Sequence, residues 1–408
     1  MKISQSFFRR VCLGLGLLPL LGAQYALGQP AAAVAPGAYQ DLWIPAARKL
    51  AAEHPEYTGL TDFIDALDRM DTMSCIKEKR NIDKISQEGW RTSYPGVTGA
   101  LQSQSAALEA AWKAAGAAPC PLPSTTEVMS PVPNFLKAQL ICGLMQAEAC
   151  RLEASGQPDV ALHRAVLSWR FANRFSVSGV GLIHHMIAIG QRAASAKVIA
   201  MILRNPAFSA DAAQKAGAAL VDLEHARLTF ADVTKSEIST CLAAQKAMRN
   251  NPAQIQQVIA QSPNLKDYYT DYFKNFDAIE TEVNRALPLV LADLEKPFAQ
   301  RTLRTRDSLK TVTSNTYAQE MLASCVEEAS VRADVELAYL RLCEALCALK
   351  MGKPEIAATF LDPFTGKPLV ILPDRVYSLG PDGADQGGTQ EYDSKQGGIS
   401  AGDIFVLR

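Results

Sequence analysis

The residues with the clearest chemical potential lie near the C-terminus. Asp382, Asp385, Asp393 and Asp403 share a stretch rich in glycine, with Gly380, Gly383, Gly387 and Gly388 between them. Calcium takes six to eight oxygen ligands from a backbone flexible enough to wrap it, and carboxylates on a turning chain supply that. The alternative is an acidic turn cluster that merely favours left-handed backbone. Asp-x-x-Asp spacing alone does not separate the two.

Other candidates are weaker. His184 and His185 sit in the most apolar segment, with His163 and His225 on flanking segments. Adjacent residues on a helix point about 100° apart, so the pair cannot share a metal. The expectation is buried imidazoles with backbone or carboxylate partners. Glu109, Glu148, Glu153 and Glu224 read as ordinary helix carboxylates unless the fold makes them converge. Tyr268, Tyr269, Tyr272, Phe273 and Phe276 fall at helical spacing and read as core; if exposed, they would form a partner-binding face. Arg301, Arg304 and Arg306 read as a solvated face, with an acidic partner as the alternative. No nucleophile elbow, zinc-protease motif, phosphate loop or dinucleotide fingerprint occurs.

Composition limits the function classes. The chain has 408 residues and a formal net charge of −1, which gives no bulk attraction to nucleic acid or anionic lipid. The N-terminus reads as an export signal: Lys2, Arg9 and Arg10, then an apolar run from Val11 to Leu21, then small residues ending near Gly28. The run is short for a membrane span, so cleavage is expected and no transmembrane anchor should remain. The expected location is periplasmic or extracellular. That compartment permits disulfides among Cys75, Cys120, Cys142, Cys150, Cys241, Cys325, Cys343 and Cys347, although small buried thiols are an equal alternative. No paired spacing suggests zinc.

The elements that must position these residues are mostly helical. The sequence predicts helices over 38–54, 61–73, 98–115, 134–153 and 159–175, with 77–94 unassigned. A helix apolar nearly all round follows over 180–203, then long helices over 210–250, 265–298 (to be kinked or divided by Pro288 and Pro297) and 311–351, with a short one over 253–261. Gly156 and Ala161 give the hairpin 134–175 a tetratricopeptide-like pattern, but no second copy follows, so an irregular helical-hairpin array is expected. The implied organisation is a signal peptide (1–28), an N-terminal helical region (29–118), a Pro-rich linker (119–133), a central helical domain (134–352) and a small β-containing tail (353–408).

Two resemblances follow from these motifs. The signal, Pro119-Cys120-Pro121-Leu122-Pro123, the helical block with Gly156 and Leu182-Ile183, and the closing Asp-Pro-Phe-Thr-Gly-Lys-Pro-Leu resemble uncharacterised exported helical proteins of planctomycete- and verrucomicrobia-like bacteria. The tail from Asp362-Pro363-Phe364 through Tyr377-Ser378-Leu379-Gly380-Pro381-Asp382-Gly383 to Gly387-Gly388 is similar to the C-terminus of major type II secretion pseudopilins. That resemblance implies a small sheet after a long helix and a calcium loop. The Leu379 carbonyl, Asp382 and Asp403 best match its ligands, and Asp385 and Asp393 are placed less firmly because 389–400 is long. An ordinary signal in place of a short leader and polymerising helix implies no role in a pilus.

The expected protein is therefore mainly α with a small β cap. It reads as a non-catalytic scaffold or interaction protein of the cell envelope with a protein partner. The alternatives are an envelope hydrolase with a groove site and a calcium-dependent surface or adhesion module.

Overall fold

A computed structural model describes residues 43–118, 134–174, 181–261, 263–393 and 399–408. The expected signal peptide and Pro-rich linker lie outside the described residues. The described chain is mainly α-helical, with one small antiparallel sheet near its C-terminus.

The first helices are α1 (Trp43–Glu53), α2 (Leu60–Arg69), α3 (Thr72–Ile76), α4 (Lys79–Glu88), α5 (Pro95–Ser103) and α6 (Ser105–Gly116). Helix α4 falls in the stretch whose polarity hid its fold. Ile82, Ile85 and Ser86 are its buried residues, a narrow stripe at helical spacing. The hairpin follows as α7 (Phe135–Ala154) and α8 (Pro158–Asn173). Asn134 caps α7 by accepting from the Lys137 amide at 3.2 Å, and Pro158 opens α8, where its missing N–H costs nothing.

Helix α9 (Leu182–Leu203) is the expected buried helix. By length and composition it could cross a membrane, yet 67% of that apolar stretch is buried inside the protein. Its first amide is capped from a distance: Leu182 N–H donates to Glu237 Oε2 at 2.6 Å. Burial raises the Glu237 pKa, and the Leu182 amide partly offsets this.

All three long helices predicted after α9 are divided. The first becomes α10 (Ala210–Ala226) and α11 (Phe230–Arg249), because Thr229 and Asp232 form a capping box that starts a new helix. After α12 (Pro252–Gln261), the second divides at Asn275 into α13 (Lys266–Lys274) and α14 (Phe276–Leu294), and Pro288 stays inside α14. The short α15 (Arg306–Leu309) follows, and the third divides at Glu327 into α16 (Thr316–Val326) and α17 (Glu328–Lys350).

Two apolar clusters result. One joins α1 to α8, the later part of α9, α10, most of α17 and the C-terminal cap. The other joins α11, α13, α14, α16, the start of α9 and the start of α17, and it includes Tyr269, Tyr272, Phe273 and Phe276 as core. Helices α9 and α17 therefore run through both. Where the clusters meet, the two helices are locked by charge. Arg192 donates to Glu336 at 3.1 and 3.4 Å and to Asn173 Oδ1 at 3.0 Å, with Arg227 Nη1 3.8 Å from the same carboxylate. Both side chains of the central pair are almost fully buried. A second buried pair, Arg301–Asp334 at 2.7 Å, flanks it.

The chain closes with α18 (Pro354–Ala357), β1 (Val370–Ile371), β2 (Arg375–Ser378) and β3 (Ile404–Leu407), antiparallel in the order β1-β2-β3. Val376, Ile404 and Val406 are buried in the same core as the helices, so the cap is packed onto the body and does not hang free.

Removing one partner of a buried pair strands the other charge. Glu336→Ala should lower unfolding free energy by about 3–5 kcal/mol, read as a reduced urea midpoint, while Glu109→Ala, at an exposed position of α6, should change it little.

Candidate metal centre

The cap is organised by two buried aspartates. Asp362, 2% exposed, sits at the start of the Asp-Pro-Phe motif. Its carboxylate accepts from Phe364 N at 2.9 Å, Ser378 Oγ at 2.8 Å, Thr365 Oγ1 at 3.1 Å and Leu379 N at 3.2 Å. It thereby pins the turn to the end of β2. The Leu379 amide is thus turned toward Asp362.

Asp403, 0% exposed, precedes β3. Its Oδ2 accepts from Gln386 N at 3.1 Å and Gly388 N at 2.8 Å. Its Oδ1 is buried and receives no hydrogen bond from the described residues. The same holds for Gln386 Oε1, whose amide nitrogen donates to Asp382 Oδ2 at 3.0 Å. Two buried acceptors without donors on one loop are unusual, because each costs its desolvation energy. Asp385 completes the surroundings: its Oδ1 accepts from Tyr377 OH at 3.0 Å and Gly387 N at 2.8 Å.

Glycine makes this packing possible at two positions. A Cβ on Gly380 would lie 2.3 Å from the Gly402 carbonyl, and one on Gly388 would lie 2.7 Å from Arg375. Both residues also have positive φ. The Gly388 amide can then reach Asp403.

Burial raises the Asp403 pKa, and the Asp385 and Asp382 charges push it further; the Gly388 and Gln386 amides oppose them. Asp382, Asp385 and Asp403 therefore share one electrostatic neighbourhood. Asp393 stands beyond the Gln390–Tyr392 segment, and its carbonyl accepts from Ser400 Oγ at 3.4 Å. Gln386 escaped sequence reasoning because an amide carries no charge to flag it. Among the described residues, no three His, Cys, Asp or Glu side chains form a ready metal cluster. A calcium site would also draw on amide and backbone oxygens, and the unpaired Asp403 and Gln386 oxygens fit that donor chemistry.

The remaining candidates disperse. His184 packs edge-on to Phe135 at 4.7 Å and His185 tilts against Phe230 at 5.9 Å. Neither ring makes a well-formed hydrogen bond among the described residues; the Gly181 backbone gives His184 a partial polar partner, and both rings pack on aromatics. Burial pushes the His184 pKa down to about 3, with a partial offset from the Gly181 carbonyl, and holds His185 well below its ordinary value. Glu148 pairs with Arg151 and Glu109 with Lys113, both within their own helices. Glu153 accepts from Asn205 Nδ2 at 2.6 Å.

Glu224 pairs with Arg341 at 2.7 Å and lies beside buried Glu344, whose pKa rises to about 9 through burial first and the Glu224 charge second. Arg301 and Arg306 are paired with Asp334 and Glu320, and Arg304 lies 5.2 Å over the Phe298 ring. Seven cysteines are described, all buried as free thiols; Cys120 lies outside the described residues.

A cavity of 180 Å³ is lined by residues including Arg170, Asn173, Arg174 and Asp222. None of the histidines or perturbed carboxylates is among its lining residues.

No protein-family model, curated protein or solved structure matches this chain.

The His184 shift has a definite sign. A ring that stays neutral when folded but binds a proton when unfolded stabilises the fold above the ordinary histidine pKa, and this is lost as pH falls from about 6.5 toward 3. A His184→Leu variant should lose less stability between pH 6.5 and 4 than the parent, measured by urea unfolding at each pH. An Asp362→Ala variant should cost about 1–3 kcal/mol by leaving buried N–H groups unpaired, measured the same way.

Proposed function

We propose that this protein is an exported, non-catalytic helical binding module of the cell envelope whose C-terminal cap is fastened by a calcium ion. The observation that carries the proposal is the buried Asp403 carboxylate, with one oxygen held by loop amides and the other without a donor among the described residues. Gln386 adds a second bare oxygen, and Asp382 and Asp385 add charge that a cation would neutralise. A carboxylate under that repulsion favours either a proton or a metal.

Among the functions weighed from the sequence, this joins the scaffold reading to the calcium-dependent one. Asp403, Gln386, Asp382 and Asp385 would hold the ion, and Asp362 would keep the loop's other end fixed. The ion would supply positive charge and oxygen coordination, not reactivity. Export rests on the N-terminal residues. The partner is proposed as a protein, because the near-neutral charge argues against nucleic acid. The hydrolase reading gains less support, since Glu237 and Asp334 are absorbed in separate helix contacts and Glu344, the remaining strongly perturbed carboxylate, is not among the residues lining the 180 Å³ cavity.

The sign of the Asp403 shift sharpens the test. Its raised pKa means that the calcium-free fold loses stability as pH rises from the ordinary carboxylate range through the folded pKa. Calcium should reverse that loss. Melting of the full chain at neutral pH should show stabilisation of about 2.7 kcal/mol at calcium a hundredfold above its Kd. Magnesium should give less, because it demands tighter octahedral geometry. Asp403→Asn should melt no lower than the parent in chelator and should show no calcium response. Equal melting of the parent in calcium and chelator would refute the proposal.

A further inference from the structure

We infer that Gln390–Tyr392 is a clasp through which cation binding at Asp403 sets how tightly the cap sits on α9 and α17. The inference rests on the cation reading above and adds what the ion would control. Asp403 works at both ends of the connection. Its side chain gathers the glycine loop, while its main chain pairs with the clasp: Asp403 N donates to Gln390 O at 2.8 Å, and Tyr392 N donates to Asp403 O at 3.0 Å. The next residue, Ile404, is fully buried and opens β3, which packs against both helices.

The clasp has its own anchors on the helical body. Tyr392 is 5% exposed and belongs to the core that contains Val335 and Tyr339 of α17. Beside it, Glu391 pairs with Lys197 of α9 at 3.0 Å, and that ammonium lies 5.2 Å over the Tyr339 ring. Both members of the Lys197–Glu391 pair are substantially exposed, so it orients the clasp and the tyrosine holds it. Asp403 thus links the acidic loop, the clasp and the entry to β3.

With no ion, the repulsion of Asp403 by Asp385 and Asp382 works against the arrangement that seats the cap. An ion removes that repulsion only when the loop is ordered around Asp403. Binding to the seated form alone shifts the seated–unseated balance by the factor one plus free ion over Kd. The ion thereby tightens β3 and the clasp on the α9–α17 surface, while the Asp-Pro-Phe turn stays bound to the body.

Hydrogen exchange on the full chain, alongside calorimetric titration with calcium chloride, tests this. At calcium a hundredfold above Kd, exchange in β3, the clasp and the facing part of α17 should slow by roughly a hundredfold relative to chelator. Tyr392→Ala should still bind calcium but lose the protection of α17, and Tyr392→Phe, which keeps the packing, should retain it. Glu391→Gln should change the protection only a few-fold. If calcium binds and protection stops at the 380–388 loop, or if Tyr392→Ala protects α17 as the parent does, the clasp is overturned and the cation site stands. If no heat of binding is seen, the cation reading falls and this inference falls with it.

Discussion

The Arg192–Glu336 pair is the constraint on which the arrangement depends. It lies where the two apolar clusters meet, on the two helices common to both. Apolar packing is undirected and would let α9 slide or turn against α17. A nearly bidentate guanidinium–carboxylate contact, with Asn173 taking a further N–H, allows one register. Such a pair adds little net stability over an apolar replacement. Its contribution is to fix how the two clusters are aligned. Arg227 reaches the same carboxylate from the break between α10 and α11, so the turn made by the Thr229 capping box is tied to the seam as well.

The cap inherits that alignment. Its sheet is too small to be stable alone, and its buried residues Val376, Ile404 and Val406 complete the cluster that α9 and α17 build. Phe298 and Ala299 amides donate to the Pro363 and Phe364 carbonyls, and Arg341 donates to the Leu361 carbonyl, so the Asp-Pro-Phe turn is bound to the body at several points. Asp362 and Asp403 differ sharply within this frame. The first has both oxygens satisfied by donors; the second has one oxygen satisfied and one bare. The contrast marks Asp362 as a structural aspartate and Asp403 as the proposed ligand.

Much of the fold was legible because its signals are local. The hairpin around Gly156, the apolar α9 and the stop after α17 follow from periodicity, proline and glycine. The divisions at Thr229, Asn275 and Glu327 were missed for different reasons. Thr229-x-x-Asp232 is a capping box inside an otherwise continuous pattern and could have been read. Asn275 and Glu327 carry no strong breaker, and long-range packing decides those breaks. The polar seam was illegible in principle, since Arg192, Glu336 and Asn173 lie far apart in sequence and each looks like a surface residue until the helices meet.

The candidate site was half legible. Asp382, Asp385 and Asp403 stand out as acids among glycines, and the structure brings them into one neighbourhood. The role of Gln386 and the separate place of Asp393 depend on how the 380–403 segment closes, which spacing does not encode. The most direct measurement is a crystal structure of the full chain grown with calcium, with anomalous scattering used to locate the ion. The account predicts an anomalous peak about 2.3–2.6 Å from both Asp403 Oδ1 and Gln386 Oε1. A donor group of the protein or an ordinary water in that position, with no anomalous signal, would contradict it.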